Sequence, residues 1–338
     1  MPRTKTQRQD TVVTNSGGSG KHTRSGMVIS RRERIISLTF RMTIIIIAVI
    51  FALFPVLFII SSAFNPTGTL STQSLIPERV NSLSDLTINF RALMVDRLDV
   101  YPFWNWIRNS FFVATVTTTL VLLITALSAY SFSRFRFKGR RQLLLGILLI
   151  QAFPNLLALI ALFLILLEIG RLADAIPIIL PFLSFIDWSF LKLFGLNSLG
   201  GLILIYMGGA MGINTWLMKG FFDTIPRDID ESALVDGATH WQIFWLLIFP
   251  LVRPIIAVVG VLSFVGTFNE FVLARVVLRS QDNWTLMVGL FNFISVDFNR
   301  DWGKFAAGAL VSGVPTVILY LSLQNQIVGG LTQGSVKG

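Results

Sequence analysis

Long uncharged stretches, separated by short polar segments, run through most of this 338-residue chain. A helix needs about 20 apolar residues to cross a hydrocarbon core roughly 30 Å thick. The stretches of that order are residues 42–63, 106–133, 142–167, 193–218, 254–278 and 305–328. The pattern therefore predicts an all-α polytopic membrane protein with six transmembrane helices.

Two further apolar runs are short and contain proline. Residues 175–186 include Pro177 and Pro181, and residues 241–252 include Pro250. Runs of this length are typical of interfacial or re-entrant segments. We therefore predict six spans and no seventh.

Composition agrees with a membrane protein and excludes several kinds of site. Hydrophobic residues make up 53% of the chain and charged residues 14%, and the mean hydropathy is +0.70, which does not fit a soluble domain. The chain contains no cysteine, so disulfides and thiol catalysis are excluded. His22 and His240 are too far apart in sequence to predict a histidine metal site.

Basic residues concentrate in residues 3–41 and 134–141, before the first span and between the second and third. Lys and Arg are retained in cytoplasmic loops, so both segments are expected inside. With six spans, both termini and the loop between spans four and five are then also cytoplasmic. This topology explains the net charge of +10 better than nucleic-acid binding does, for which aromatic residues should be interleaved with the basic ones.

The N-terminal segment is polar and rich in glycine, and residues 1–38 are predicted to be a disordered basic cytoplasmic tail. Residues 17–21 resemble part of a phosphate-binding loop. Asn15, however, stands in place of the first glycine, and His22 stands where Ser or Thr would bind magnesium. The chain is therefore not expected to hydrolyse ATP itself.

A polar island at residues 230–238 separates the fourth and fifth spans. Its acidic residues suit the N-terminus of a short helix that Gly237 ends, and Thr239 can cap a second helix. That second helix carries Trp241, Phe244 and Trp245, which suit the membrane interface. Charges beside a bilayer are costly, so the island is expected to face water and dock a partner.

This loop resembles the coupling loop of ABC importer permeases, in which Glu-Ala-Ala is followed after fixed intervals by glycine and by Ile-x-Leu-Pro. The spacing agrees throughout the motif. The matching residues are Glu231, Ala233, Gly237 and Pro250, while Ser232, Leu247 and Phe249 replace alanine, isoleucine and leucine. The resemblance implies that Glu231, Ser232, Ala233, Gly237, Leu247 and Pro250 couple the chain to an ATPase. The small side chains of Ser232 and Ala233 are expected to allow close approach of the partner.

Residues 104–338 are similar to the sugar-transporting branch of these permeases, specifically the MalG type of maltose and maltodextrin importers. The resemblance rests on residues 153–163 of the third span, 236–242 of the loop, 304–309 and 330–338. It implies a type I importer permease core of the MetI-like fold. It also implies that Gly334, Ser335, Val336 and Lys337 make a C-terminal contact with the ATPase.

The implied partners are a second, MalF-like permease subunit, two ATP-binding cassette ATPase subunits, an extracytoplasmic sugar-binding protein and membrane lipid. The chain itself is expected to be non-catalytic and to bind no cofactor, since ATP and magnesium are used by the partner ATPases. No nucleic-acid partner is expected. The implied location is the cell (inner) membrane, with multiple spans and both termini cytoplasmic.

Polar residues within or beside the spans are candidates for the translocation path: Asn269, Glu270, Gln151 and Asn155. A carboxylate inside a span is costly and should face water or a partner charge. Glu270 is therefore expected either to line the path or latch its outer gate, or else to pair structurally with Arg275 or with the partner subunit. The residues leave these alternatives open.

The predicted organisation has four parts. Residues 1–38 are the tail, 39–103 the first span with an external loop, 104–330 the permease core with its coupling loop at about 219–250, and 331–338 a cytoplasmic tail. The predicted function is the permease subunit of an ATP-driven sugar importer. The alternative is a stand-alone, ion-coupled secondary transporter, for which paired broken spans would be expected.

Overall fold

The computed structural model describes residues 31–66, 76–77, 80–180, 182, 186–295 and 301–333, and within them the chain forms helices and turns but no strand. The chain divides into two units, Met1–Phe54 and Pro55–Gly338. The helices are α1 Arg31–Ala63, α2 Leu83–Leu86, α3 Ile88–Arg91, α4 Phe103–Arg134, α5 Arg140–Gln151, α6 Asn155–Ile179, α7 Leu199–Phe222, α8 Asp228–Val235, α9 His240–Gln242, α10 Phe249–Phe268, α11 Val272–Val277, α12 Leu286–Ser295 and α13 Trp302–Gln333.

Within the described residues, five helical segments are long and apolar enough to cross a membrane: Ile35–Ala63, Phe103–Arg134, Leu199–Phe222, His240–Phe268 and Trp302–Gln324. They correspond to the first, second, fourth, fifth and sixth predicted spans. The all-α polytopic fold predicted from the sequence is confirmed.

The third predicted span, residues 142–167, is not one continuous helix. It is divided between α5 and α6, with the break at Ala152–Pro154. Proline has no N–H to donate and disfavours helical conformation in the residue before it. Pro154 therefore ends α5 at Gln151 and lets α6 begin at Asn155.

Both ends of the chain are more helical than the sequence predicted. Helix α1 begins at Arg31, so residues 31–38, placed in the disordered tail, are helical, because apolar residues at 35, 36 and 38 extend the pattern of the span. At the other end α13 continues to Gln333. The rest of the predicted tails, residues 1–30 and 334–338, lies outside the described residues.

Residues 241–252, predicted to be an interfacial or re-entrant run, instead lead directly into the fifth span. Helix α9, a wider π-helical stretch at Ile243–Ile248 and helix α10 follow one another without interruption. Pro250 and Pro254 each remove one backbone donor, and wider turns accommodate such missing bonds. Likewise residues 175–179 of the other short run belong to the end of α6.

Helix α4 is the centre of the Pro55–Gly338 unit, and it buries one face against α7 and α10. Its buried face contains small and polar residues, among them Ala126, Ala129 and Thr125. The Thr125 hydroxyl donates to the carbonyl of Val121 at 2.6 Å, which satisfies the hydroxyl inside the helix pair. Small residues let neighbouring membrane helices approach closely.

At the end of α4 that begins at Phe103, side chains hold the segment between α11 and α12. The indole of Trp106 donates to the carbonyl of Gln281 at 3.2 Å, and the amide of Asn109 donates to that of Asp282 at 2.8 Å. From the side of α7, Asn197 accepts from the backbone N–H of Arg279 at 2.8 Å. This segment is therefore fixed from two directions.

Candidate functional site

The polar island folds into the predicted pair of helices joined by a tight turn. Gly237 has φ +86°, and the N–H groups of Gly237 and Ala238 donate to the carbonyls of Leu234 and Ala233 at 3.0 and 2.9 Å. These two bonds form a Schellman motif, which requires a left-handed residue that glycine adopts without strain. Helix α8 thus ends at Val235, and Gly237 is the left-handed residue just beyond its C-cap, Asp236, as the sequence predicts.

The second short helix begins with the predicted cap. The hydroxyl of Thr239 accepts from the N–H of Gln242 at 3.3 Å, and the Gln242 side chain accepts from the N–H of Thr239 at 2.8 Å. This reciprocal arrangement is a capping box. It fixes the direction in which the chain leaves the Gly237 turn.

The outward face of the loop, here called the coupling surface, consists of Glu231, Ser232, Leu234, Val235 and Gly237, all exposed. The Val235 side chain is 88% exposed, and nothing in this chain covers it among the described residues. Leu234 is exposed beside it, and a patch of exposed apolar side chains is a feature of surfaces that bind another protein. The hydroxyl of Ser232 donates back to the carbonyl of Asp228 at 2.6 Å.

The remaining motif residues lie elsewhere. Ala233, expected to face the partner, is buried and packs with Phe244 in this chain's own core. The same core buries Phe244, which the sequence placed at the membrane interface. Leu247 and Pro250 are exposed on the helical segment beyond the turn. The small side chain of Ala233 lets α8 lie close to the rest of its own chain, and the coupling surface is on the opposite face of the helix.

Asp230 is a second correction, because it points inward and not toward water. Its carboxylate oxygen Oδ2 lies 3.0 Å from Nε of Arg134, and the two side chains are 11% and 7% exposed. This pair could not be predicted from the sequence, because the two residues are far apart along the chain and each belongs to a segment rich in like charge.

Asp223 joins the same end of the molecule, just after α7. Burial raises the pKa of its carboxyl, but hydrogen bonds from Lys219 and Ser133 and the nearby charges of Lys219 and Arg140 outweigh that effect and lower the pKa below 3.8. The Ser133 hydroxyl donates at 2.7 Å and the Lys219 ammonium at 2.5 Å. The carboxylate is thus held ionised between α4 and α7.

A cavity of about 740 Å³ lies between the broken third span and the fourth and fifth spans. Gln151, Phe153, Tyr206, Thr267 and Glu270 are among its lining residues. Its volume and its mixture of an apolar wall with a few polar groups are typical of small-ligand sites. Two of the predicted path residues, Gln151 and Glu270, therefore share one cavity.

Glu270 lies where the fifth span breaks, between α10 and α11. Its carboxylate accepts from the N–H groups of Leu273 and Ala274 at 2.9 and 3.1 Å and from the hydroxyl of Tyr206. Pairing with Arg275, one of the alternatives left open by the sequence, is not observed in this part of the chain. The Arg275 guanidinium instead lies over the ring of Trp284, 5.5 Å from its centroid. Sequence reasoning missed Tyr206 because it lies in a different span.

Gln151 lies between this cavity and a second one of about 260 Å³, and it lines both. Its amide donates to the carbonyl of Gly209 at 3.0 Å. A side chain on Gly212 would meet the Gln151 amide nitrogen at 2.4 Å and would have to displace it. Gln151 therefore separates the two cavities while it contacts the backbone of α7.

Asn269, another predicted path residue, does not line the cavity. Asn269 is exposed and its amide donates to the carbonyl of Val265 at 2.9 Å, which keeps it on its own helix. The side chain of Asn155 and residues Gly334, Ser335, Val336 and Lys337 lie outside the described residues. Within the described part of the chain, no group of three or more His, Asp or Glu side chains could hold a metal ion.

Comparison with known proteins gives a family match over residues 121–327, to the binding-protein-dependent transport system inner membrane component. The chain is 38% identical over 291 residues to the maltose/maltodextrin transport system permease protein MalG of Vibrio vulnificus, covering 85% of this chain and 91% of that protein. It is 35% identical over 306 residues to the galactooligosaccharides transport system permease protein GanQ of Bacillus subtilis, covering 90% and 98%.

A solved structure has the same fold. A bacterial ABC transporter involved in the import of the acidic polysaccharide alginate matches with a TM-score of 0.68 at 24% identity, covering 88% of this chain and 98% of that chain. The family match, over residues 121–327, contains the coupling loop, both cavities and the broken third span. This chain therefore belongs to the family of binding-protein-dependent transport system inner membrane components, within which it is a permease of the MalG type.

Proposed function

We propose that this chain is one of the permease subunits of an ATP-driven sugar importer. It forms part of the path for the sugar and couples that path to ATPase subunits. The observation that carries the proposal is the coupling surface, where Glu231 and Val235 project from a helix whose opposite face is anchored in the chain's own core. Because α8 is packed against the rest of the chain, a force applied to the coupling surface is transmitted to the spans and does not deform the loop.

The proposed partners are a MalF-like permease subunit, two ATP-binding cassette ATPases and an extracytoplasmic sugar-binding protein. The ATPases use ATP and magnesium, and this chain needs no cofactor. The coupling surface and both termini face the cytoplasm, as the distribution of basic residues favours. Gly334, Ser335, Val336 and Lys337 add a second contact with the ATPase, beside the coupling surface.

The substrate is proposed to be a neutral oligosaccharide such as a maltodextrin. Relatives are described as transporting maltose and maltodextrin or galactooligosaccharides. The larger cavity offers acceptors and donors for sugar hydroxyls in Glu270 and Gln151, beside the apolar wall that Phe153 contributes. A carboxylate has four acceptor positions, and Glu270 uses three of them in the bonds described above.

Movement between inward-open and outward-open states requires the ATPases to bind the two states with different affinity, since a partner that binds both equally shifts neither. Closure of the ATPases on ATP pushes the coupling surface and opens the opposite side of the path. The rival function, ion-coupled transport by a single chain, is not supported by the relatives, which belong to binding-protein-dependent systems.

The experiment is to purify the tagged chain from its native membrane in mild detergent and identify the proteins that accompany it. We expect an ATPase, a second permease and uptake of maltotriose by vesicles that depends on ATP. Val235→Asp is expected to release the ATPase. The matched control is Val95→Asp, at a valine that is also exposed, by 64%. Recovery of the chain alone, still active in ion-driven uptake, would refute the proposal.

A further inference from the structure

The buried ion pair of Arg134 and Asp230 lies beneath the coupling surface, and the function described above uses neither residue. Arg134 is the last residue of α4, and Asp230 lies in the first turn of α8. The loop that contains α8 is connected through the backbone only to α7 and α10. The pair is therefore a direct link from the loop to a span that is not its neighbour in sequence.

Three hydrogen bonds join the last turn of α4 to the segment between α7 and α8. The Arg134 guanidinium also donates to the carbonyl of Ile225 at 3.2 Å, and Arg227 donates to the carbonyl of Ser133 at 2.8 Å. The third is the Ser133–Asp223 bond of 2.7 Å. Each connects the last turn of α4 with the segment that enters α8, so that the loop is held at several points.

Apolar packing also holds the coupling loop against α4. The ring of Tyr130 on α4 lies 5.1 Å from the ring of Phe244 and 6.4 Å from that of Phe222. Ala233 of α8 belongs to the same core. Helices α4, α7, α8 and the start of the fifth span thus share one packed core.

Ion pairs of this kind contribute little net stability, because removing both charges from water offsets much of their attraction. Breaking one partner, in contrast, leaves an uncompensated buried charge. The value of the pair therefore lies in the geometry that it fixes. A force applied at the coupling surface reaches the spans only if the loop cannot move independently of them.

We propose that Arg134 and Asp230 are positioning residues that fasten the coupling loop to α4, so that α4, α7 and α10 move with the loop as one body. This inference rests on the proposed function. Without the pair, the first turn of α8 can shift relative to α4 when the ATPase moves the loop. ATP is then hydrolysed without a matching movement of the path.

The first test measures coupling in Arg134→Met and Asp230→Asn. In complexes that assemble, the number of sugar molecules taken up per ATP hydrolysed is expected to fall about tenfold, within the range usual for coupling between sites. A purely structural role would lower the yield of complex and leave that ratio unchanged. The matched control is Arg136→Met, which removes the same charge at an exposed position two residues on and is expected to keep the ratio.

The second test does not depend on any variant of the pair. Because the chain contains no cysteine, cysteines introduced at the exposed positions Leu123 and Asp228 can be spin-labelled specifically. Leu123 lies about 16 Å from Arg134 along α4, at 1.5 Å per residue. We expect one narrow distance that is the same with and without nucleotide, and a broadened distribution in Asp230→Asn.

Two results would overturn the inference. One is a label distance that changes with nucleotide in the otherwise native chain. The other is an assembled Asp230→Asn complex that keeps both the narrow distance and the native transport ratio. A native complex without ATP-dependent sugar uptake would instead refute the proposed function, so the two failures are distinguishable.

Discussion

Replacing Gly237 by alanine is expected to strain the turn of the coupling loop without a steric clash. Gly237 has φ +86°, and a Cβ added there would meet nothing within 4 Å. A left-handed conformation costs an L-residue about 1–2 kcal/mol, so the whole penalty comes from the backbone. The matched control is Gly220→Ala in α7, where an added Cβ also meets nothing within 4 Å and the backbone is helical. Alanine in a helix is favoured over glycine by about 1 kcal/mol.

Gly→Ala is therefore expected to lower the free energy of unfolding at position 237 and to raise it at position 220. The two changes should differ by about 2–3 kcal/mol. The assay is denaturation of the purified complex together with ATP-dependent sugar uptake. A penalty of 1–2 kcal/mol on the competent loop corresponds to a roughly five- to thirtyfold loss in its population, and uptake by Gly237→Ala should fall in that range. Gly237→Asn should lose less, because asparagine tolerates this conformation. Equal stability of the two alanine variants, with full uptake by both, would refute the reasoning.

The other predictions concern packing, the cavity and pH. In Gly289→Ala, the new Cβ would lie 2.2 Å from the fully buried ring of Trp106, so the thermal midpoint should fall by the equivalent of about 1–3 kcal/mol; an unchanged midpoint would contradict the packing described. Tyr206→Phe removes a donor to Glu270 and should cost about 1.5–3 kcal/mol with altered sugar uptake, whereas native behaviour would exclude that bond. Because the pKa of Asp223 is lowered below 3.8, its ionised form stabilises the fold above that pH, and the advantage of the native chain over Asp223→Asn should disappear as pH falls further. A difference that grows on acidification would contradict this sign.

Much of the fold could be predicted because the hydrophobic stretches were long and separated by polar segments. The second span, predicted at 106–133, is α4 at Phe103–Arg134, and the sixth, predicted at 305–328, lies inside α13. The ends of the two short helices could also be predicted, at Gly237 and Thr239. A glycine turn and a capping residue depend only on residues a few positions away in sequence.

The parts that sequence could not supply depend on contacts between distant segments. Nothing local distinguishes Asp230, which is buried, from Glu231, which is exposed. The identity of Ala233 was interpreted as access for a partner, although its spacing of three from Asp230 places both on one face of a helix. If that face had been recognised as the buried one, Asp230 would have been expected to need a buried basic partner. For the same reason, Tyr206 was not among the alternatives considered for Glu270.

The break at Ala152–Pro154 also has a consequence for hydration. Backbone groups that lose their helical partners inside a membrane must be solvated by protein or by water. The N–H groups of Ala152 and Phe153 still donate to carbonyls of α5. Because Gln151 and Phe153 line the larger cavity, water in that cavity can reach the carbonyls that the break frees. Amide protons there should exchange with solvent faster than those of the intact helices at either side. A membrane that holds an ion gradient can tolerate a hydrated cavity only when one end of that cavity is always closed. The closed end, and not the cavity, therefore limits the leakage of ions.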